Sequence, residues 1–445
     1  MVALYSRART AFAITAAGTA MVAGLVLQPR STQPVIATPT PSTAKPSESA
    51  ILRAKLASTH VLAGDQDLAV LIKMPSFAGL DGELRLPLSI VVVLDRSASM
   101  HGEPLENAKR AVTSLIDKLA AQDSFAIVTF SDRDELVIAA GTASLDRKRA
   151  ASDAIDRIVA SGGTCASCGI TRGEHEILQS PELRGVHRMV FISDGQANLG
   201  IGNRDELVTL AGETAAHGVS ISTVGVGLDF DEQTMIRIGE TAHGNYYFAK
   251  DTAQLGAMFA TELAGLRRII ATHVSLLALQ EAGNPIVSAY GYPLQAIKGG
   301  VMVPIADLGA GEARKVVFHG SVTAPQVGSY RLSWTDPLDG RVHSARTALT
   351  ATITTDPAVV AASRDAEATA AIEQARTAQV IDRSVTAYER DGAEAVQSAI
   401  EHQMRNEHIT DEAAWVAAHT AIKSYELSSE EATKTTRTTA YGLAR

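Results

Sequence analysis

At 445 residues the chain is longer than one hydrophobic core organises, which implies two or three domains. Its 46% hydrophobic and 20% charged residues are ordinary for a globular protein, while 4% aromatics leave little for a surface that stacks on bases or sugars. A net charge of -9 with no long Lys/Arg run excludes the concentrated positive face that nucleic-acid phosphates require.

The chain begins with Arg7 and Arg9 and no acidic residue, followed by an 18-residue apolar or small run from Thr10 to Leu27. That length borders both the apolar region of a signal peptide and a spanning helix, so residues 1–27 read as an export signal or an N-terminal membrane anchor. The leading arginines favour translocation of the remainder, placing the protein in the cell envelope, periplasmic or extracytoplasmic. Residues 28–50 carry five prolines and eight serines or threonines, the composition of an extended tether.

From residue 51 to 86 the pattern is strand-like, with Leu56 to Leu62 and Leu68 to Ile72 expected to form a hairpin about Gly64-Asp65. Between residues 87 and 265 strand and helix signals alternate. Helices are expected at 105–121, 146–160, 165–178, 203–217, 231–242 and 253–267, and strands at 89–94, 125–130, 136–140, 188–193, 219–226 and 246–248. Such alternation implies an α/β fold with a doubly wound, mainly parallel sheet. Short strands return at 271–279, 301–305, 315–322, 330–334 and 348–353, spaced as in an antiparallel β-sandwich. The early hairpin completes that sandwich in this reading, so the α/β domain is inserted into a β-domain made of residues 51–86 and 266–355. Residues 356–427 read as helical, with Val396, Ile400 and Met404 on one face, Trp415, Ala418, Ile422 and Tyr425 on another, and Thr410 as an N-cap. Trp415 is read as core, and residues 428–445 as a polar, frayed tail.

The chemistry concentrates after the first α/β strand. Ser89 to Leu94 is a continuous run without charge, as expected of a strand covered on both faces, and it runs into Asp95-Arg96-Ser97-Ala98-Ser99-Met100. Asp95, Ser97 and Ser99 alternate, so a curled turn at the strand's carboxyl end brings one carboxylate and two hydroxyls onto one hard cation.

This D-x-S-x-S pattern resembles the metal-ion-dependent adhesion site of the von Willebrand factor type A domain. The other parts of the family pattern follow in order: Ser161-Gly162-Gly163-Thr164, and Asp194 in Val190-Phe191-Ile192-Ser193-Asp194-Gly195. The resemblance covers about residues 87 to 265. It implies that Ser97 and Ser99 ligate directly, Thr164 directly or through water, and Asp95 and Asp194 mostly through water. So few direct carboxylates leave the cation electrophilic and open to an Asp or Glu of a partner protein. Mg²⁺ or Mn²⁺ suits that set, and Ca²⁺ suits it less well. Gly162, Gly163 and Gly195 are expected to let the loops approach closely, and the rim is placed near His101, Asp132 to Asp134, Ala166 and Asn198.

Cys165 and Cys168, the only cysteines, follow Thr164 directly. In an exported chain they pair, and a structural disulfide on the metal loop is preferred to redox catalysis; two thiolates alone leave a zinc tetrahedron half filled. No G-x-x-x-x-G-K-[ST], H-E-x-x-H or G-x-S-x-G occurs. The favoured function is therefore a non-enzymatic adhesion or scaffold module of the envelope. The rival is a redox or hydrolytic enzyme using the cysteine pair or the metal. The flanking β-domain and helical C-terminal region are similar to bacterial members of the family in the calcium-activated-chloride-channel-like subgroup, a likeness that does not imply conduction.

Overall fold

The structure, a computed structural model, describes residues 48–445 apart from 76–85, 181–184, 195, 228–229, 250–251, 281–283, 392, 407–408 and 425–428. The signal or anchor segment, nearly all of the linker, Gly195 and Tyr425 lie outside the described residues. Among the described residues no helix is long and apolar enough to cross a membrane.

The Leu88–Asp95 strand is buried at all eight positions. Its side chains divide between two cores by alternation: Ile90, Val92 and Leu94 enter one cluster, Val91 and Val93 the other. The first cluster is completed by helices Glu103–Asp117, Leu145–Asp156 and Thr252–Leu266, the second by Ala166–Leu178, Arg204–Ala216 and Glu232–Thr241. The six-stranded sheet between them runs Asp134–Thr142, Ser124–Phe130, Leu88–Asp95, Val186–Ser193, Ser220–Val226, His243–Ala249. Only the Asp134–Thr142 edge strand pairs antiparallel. This is the doubly wound α/β architecture expected from the alternating signals.

Two antiparallel sheets pack beside it. Gly64–Lys73 pairs along its full length with Ala313–Val322, so chain that precedes the α/β domain and chain that follows it share one sheet. The facing sheet is built on Ile269–Gln280, flanked by Gly300–Ile305 and Gln326–Thr335. Leu52, Leu68, Val70, Val316 and Phe318 from one sheet meet Leu276, Val303, Tyr330 and Leu332 from the other in one core.

The early hairpin is placed differently from expectation. Leu52–Leu56, not Leu56 to Leu62, pairs with Gly64–Lys73, and His60–Val61 turns away to pair in parallel with Thr352–Ile353. Leu52, Leu56 and Val61 are all buried, so hydrophobicity alone did not mark where the chain leaves the sheet. The C-terminal region is helical, as Pro357–Ala362, Ala366–Asp391, Ala393–Asn406, Glu412–Ser424 and Ser429–Ala444. Val396, Ile400 and Met404 are buried together, with Trp415 packed against them and its Nε1 donating to the Ile409 carbonyl at 3.0 Å. Asp411, not Thr410, caps the Glu412–Ser424 helix by accepting from Ala414 N at 2.9 Å, and Thr410 is held by Glu373 instead.

The expectation of a frayed tail from residue 428 is also corrected. Ser429–Ala444 is a helix whose polar side chains serve as contacts: Lys434 Nζ lies 3.5 Å from the Phe230 ring centroid and Arg437 pairs with Glu232 at 2.9 Å, while Arg445, directly after the helix, pairs with Glu240 at 2.9 Å. Its polarity therefore matches two buried acids on the Glu232–Thr241 helix rather than water.

Candidate functional site

The site lies where the Leu88–Asp95 and Val186–Ser193 strands end side by side, at the carboxyl edge where parallel sheets bind ligands. Asp95 is the last residue of its strand and fully buried. After it the chain turns through Ser97 and a single 3-10 turn, Ala98–Met100, pinned by the buried Met100 side chain. Gly102, at φ 87°, then redirects it into the Glu103–Asp117 helix, whose first turn carries Pro104, Glu103 and Glu106.

Four of the five expected side chains join in a hydrogen-bonded chain. The Ser97 N–H donates to Asp95 Oδ1 at 2.7 Å, the Ser97 and Ser99 hydroxyls are 3.0 Å apart, and Ser99 Oγ donates to Asp194 Oδ1 at 2.8 Å. Thr164 is brought alongside by the backbone. Ser161 N donates to the Arg96 carbonyl at 2.8 Å and Ala98 N to the Gly162 carbonyl at 3.0 Å, lacing the threonine loop to the serine loop. Gly162 adopts φ 79°, and a Cβ there would sit 2.8 Å from Asp132 Oδ2. Asp95, Ser97, Thr164 and Asp194 are buried, and Ser99 is exposed at the rim.

Three supporting residues were not singled out as such in the sequence. Ser193 Oγ donates to Asp95 Oδ2 at 2.6 Å, completing that carboxylate's hydrogen bonds. Asn198 Oδ1 accepts from Thr164 N at 2.8 Å, and Asp132 Oδ1 accepts from Gly163 N at 2.6 Å. Asn198 and Asp132 had been placed only on the rim, and Ser193 read as strand. No spacing rule marks a residue that acts by holding another. Cys165 and Cys168 are disulfide-bonded across the start of the Ala166–Leu178 helix, with Cα atoms 5.3 Å apart.

The donor set is all oxygen, two carboxylates and three hydroxyls, the chemistry of a hard divalent cation. Burial pushes the Asp95 carboxyl above its ordinary value, and hydrogen bonds from Ser193 and Ser97 oppose this only in part. No basic side chain is among the influences on it. A buried carboxylate without a counter-charge is costly, and a cation beside it removes that cost, so the residues present fit a divalent metal. A second carboxylate and imidazole cluster, Asp336, Asp339 and His343, lies at the opposite end of the sheet: Pro337 O, in the same turn, accepts from Gly185 N just before the Val186–Ser193 strand begins.

A doubly wound, mainly parallel sheet with oxygen-bearing side chains gathered at its carboxyl edge has the layout of α/β domains that bind ligands at that edge. Residues 89–261 match the von Willebrand factor type A domain family. An uncharacterised protein of Synechocystis, sll0103, is 28% identical over 197 residues, covering 44% of this chain and 46% of that protein. Escherichia coli YfbK is 26% identical over 245 residues, 53% of this chain and 42% of YfbK. The chain thus matches less than half the length of either relative. A von Willebrand factor type A structure from Catenulispora acidiphila superposes with a TM-score of 0.64 at 16% identity, covering 84% of this chain and 89% of that one, which extends the shared fold beyond the α/β domain. Domains of this family serve mostly as protein-interaction modules.

Proposed function

We propose that this protein is an envelope-located binding or scaffold module that captures an acidic group of a partner protein through a divalent cation held by Asp95, Ser97, Ser99, Thr164 and Asp194. The observation that supports the reading is the continuous hydrogen-bonded chain from Asp95 through the Ser97 N–H and the Ser97 and Ser99 hydroxyls to Asp194, with a fully buried carboxylate at its inner end and the exposed Ser99 hydroxyl toward solvent. Mg²⁺ or Mn²⁺ would supply there a double positive charge in a crevice of lowered dielectric, a stronger attractor for Asp or Glu than a lone lysine. The protein's own part is positioning. Asp95 orients the serine turn through the Ser97 N–H, Asp194 orients Ser99, and the backbone lacing of residues 96–98 to 161–162 fixes where Thr164 presents its hydroxyl. Export is proposed from the Arg7, Arg9 and Thr10 to Leu27 pattern.

The test is calorimetric titration of Mg²⁺ and Mn²⁺ into wild type, Asp194→Ala and Ser97→Ala, followed by binding of the same proteins to immobilised Glu-containing peptides in Mg²⁺ and in EDTA. Metal binding by wild type alone, with peptide binding abolished by EDTA, is expected. Equal peptide binding by all three proteins in both buffers, with equal circular dichroism, would refute the metal-mediated reading.

A further inference from the structure

The Asp134–Thr142 edge strand is longer than the strand it pairs with. Nine of its residues lie against the seven of Ser124–Phe130, with register shifts on either side of Ile127. Extra residues of this kind bend an edge strand and re-aim its side chains, and they are over-represented next to binding sites. Here a cleft of about 400 Å³ opens between the bent strand and the end of the Leu145–Asp156 helix. That size falls in the range of small-molecule sites, on the order of 300 to 1,000 Å³.

The lining is positive and incompletely paired. Arg96 Nη1 donates to Ser161 Oγ at 2.8 Å and Nη2 to Glu135 Oε2 at 3.2 Å, but its buried Nε has no partner. Thr129, 1% exposed, also lines the cleft, and its Oγ1 is buried without a partner. Buried polar atoms are rarely left unpaired without a reason. Arg157 lines the mouth, is exposed, and meets no carboxylate at ion-pair distance among the described residues. The lining therefore carries two guanidinium groups and one carboxylate, and that one, Glu135, has a side chain 61% exposed, so its hold on Arg96 is weak and screened. The remaining wall is apolar, from Val137, Ile158 and Val159, the last 69% exposed.

We propose that this cleft binds a small monocarboxylate with a short apolar body. The carboxylate lies between Arg96 and Arg157 in place of Glu135, and the body lies against Val137, Ile158 and Val159. Arginine suits this role because its planar fork matches a carboxylate, and an anion there also takes up the unpaired Nε. The site is separate from the candidate metal centre and does not depend on a cation, although Arg96 stands between Asp95 and Ser97 in sequence.

The experiment uses the full chain in EDTA, which removes any contribution of a bound cation. Saturation-transfer NMR titrations compare hexanoate, hexanol and hexylamine, with inorganic phosphate read as a competitor of hexanoate, on wild type, Glu135→Gln, Arg157→Ala and Arg96→Gln. Saturable binding of hexanoate but not hexylamine is expected, tighter by several-fold in Glu135→Gln and weaker by about tenfold or more in Arg157→Ala, the size of losing one charge-assisted contact. Arg157 is exposed, so its replacement leaves folding intact and keeps the test decisive even where Arg96→Gln misfolds. Absence of saturable hexanoate binding to both wild type and Glu135→Gln, or undiminished binding by Arg157→Ala, would overturn the proposal. Equal binding of hexanol would reduce the cleft to an apolar pocket, and preference for phosphate would replace the carboxylate by another anion; either overturns it.

Discussion

Arg188 is the largest fully buried side chain among the described residues, and its replacement gives the sharpest test of how the α/β domain is held to its neighbour. The guanidinium donates from Nη2 to Asp307 Oδ2 at 2.9 Å and from Nη1 to Ser222 Oγ at 3.1 Å, and its Nε stands 3.6 Å from Glu262 Oε1. Asp307 also accepts from Ser220 Oγ at 2.8 Å and from His273 N at 3.3 Å, while Glu262 accepts from Ser222, Asn245 and Tyr247. One cation thus serves two buried carboxylates. Arg188→Met strands both, and breaking a buried pair from one side costs about 3 to 5 kcal/mol. Asp307→Ala costs less, about 3 kcal/mol, because Glu262 still neutralises the arginine. The double variant Arg188→Met/Asp307→Asn should be more stable than Arg188→Met alone: it removes one stranded charge, and three neutral donors still satisfy the other. Urea unfolding followed by far-UV circular dichroism and by fluorescence of the two tryptophans reads this order. A cost under about 1 kcal/mol for Arg188→Met, or a double variant weaker than the single, would show that water compensates these charges and refute the reasoning.

Two further substitutions probe charges buried elsewhere. Burial lowers the Lys315 ammonium from 10.5 to about 8, with Asp411 opposing. The folded state therefore binds fewer protons than the unfolded state between these values, so wild-type stability rises with pH across that window. Lys315→Met should raise stability at pH 7 by about 2 kcal/mol, even after losing the hydrogen bond to Gln374, and the advantage should shrink above pH 8 in thermal melts. Burial raises the Glu232 carboxyl, and Arg437 is the charge that most opposes this. Arg437→Ala should cost about 3 kcal/mol at pH 8 and less at pH 5, because the stranded carboxylate protonates as pH falls. Equal cost at both pH values would show that Glu232 is solvated in the variant.

What the sequence made legible follows a physical rule. A strand covered on both faces must be apolar throughout, so Ile90 to Leu94 could be read without a partner in view. The same holds for Asp95, Ser97, Ser99, Thr164 and Asp194, whose residue types and order carry the pattern. Legibility failed where the decisive partner is distant in sequence. Whether Leu56 or Val61 stays in the sheet depends on Thr352 and Ile353, and whether Ser429–Ala444 is a helix depends on Glu232 and Glu240. Thr410 looked like a cap because the local rule prefers it, but Glu373, 37 residues earlier, claims its hydroxyl and leaves the cap to Asp411.

The two ends of the central sheet divide the work. Arg188, Ser220 and Ser222 lie toward the amino ends of their strands, where Asp307 and Pro337 of the antiparallel domain contact them or their neighbours. Asp95 and Asp194 lie at the opposite, carboxyl ends, among loops held mainly by one another. A change at the amino end acts on the loops only through whole strands that are buried on both faces and paired on both edges, which move as units rather than bend. Stability and binding should therefore separate: an Asp307→Ala protein, though weaker to urea, should titrate Mg²⁺ like wild type under native conditions. A matching loss of Mg²⁺ affinity in that variant would show that the antiparallel domain sets the geometry of the loops as well as the stability of the sheet.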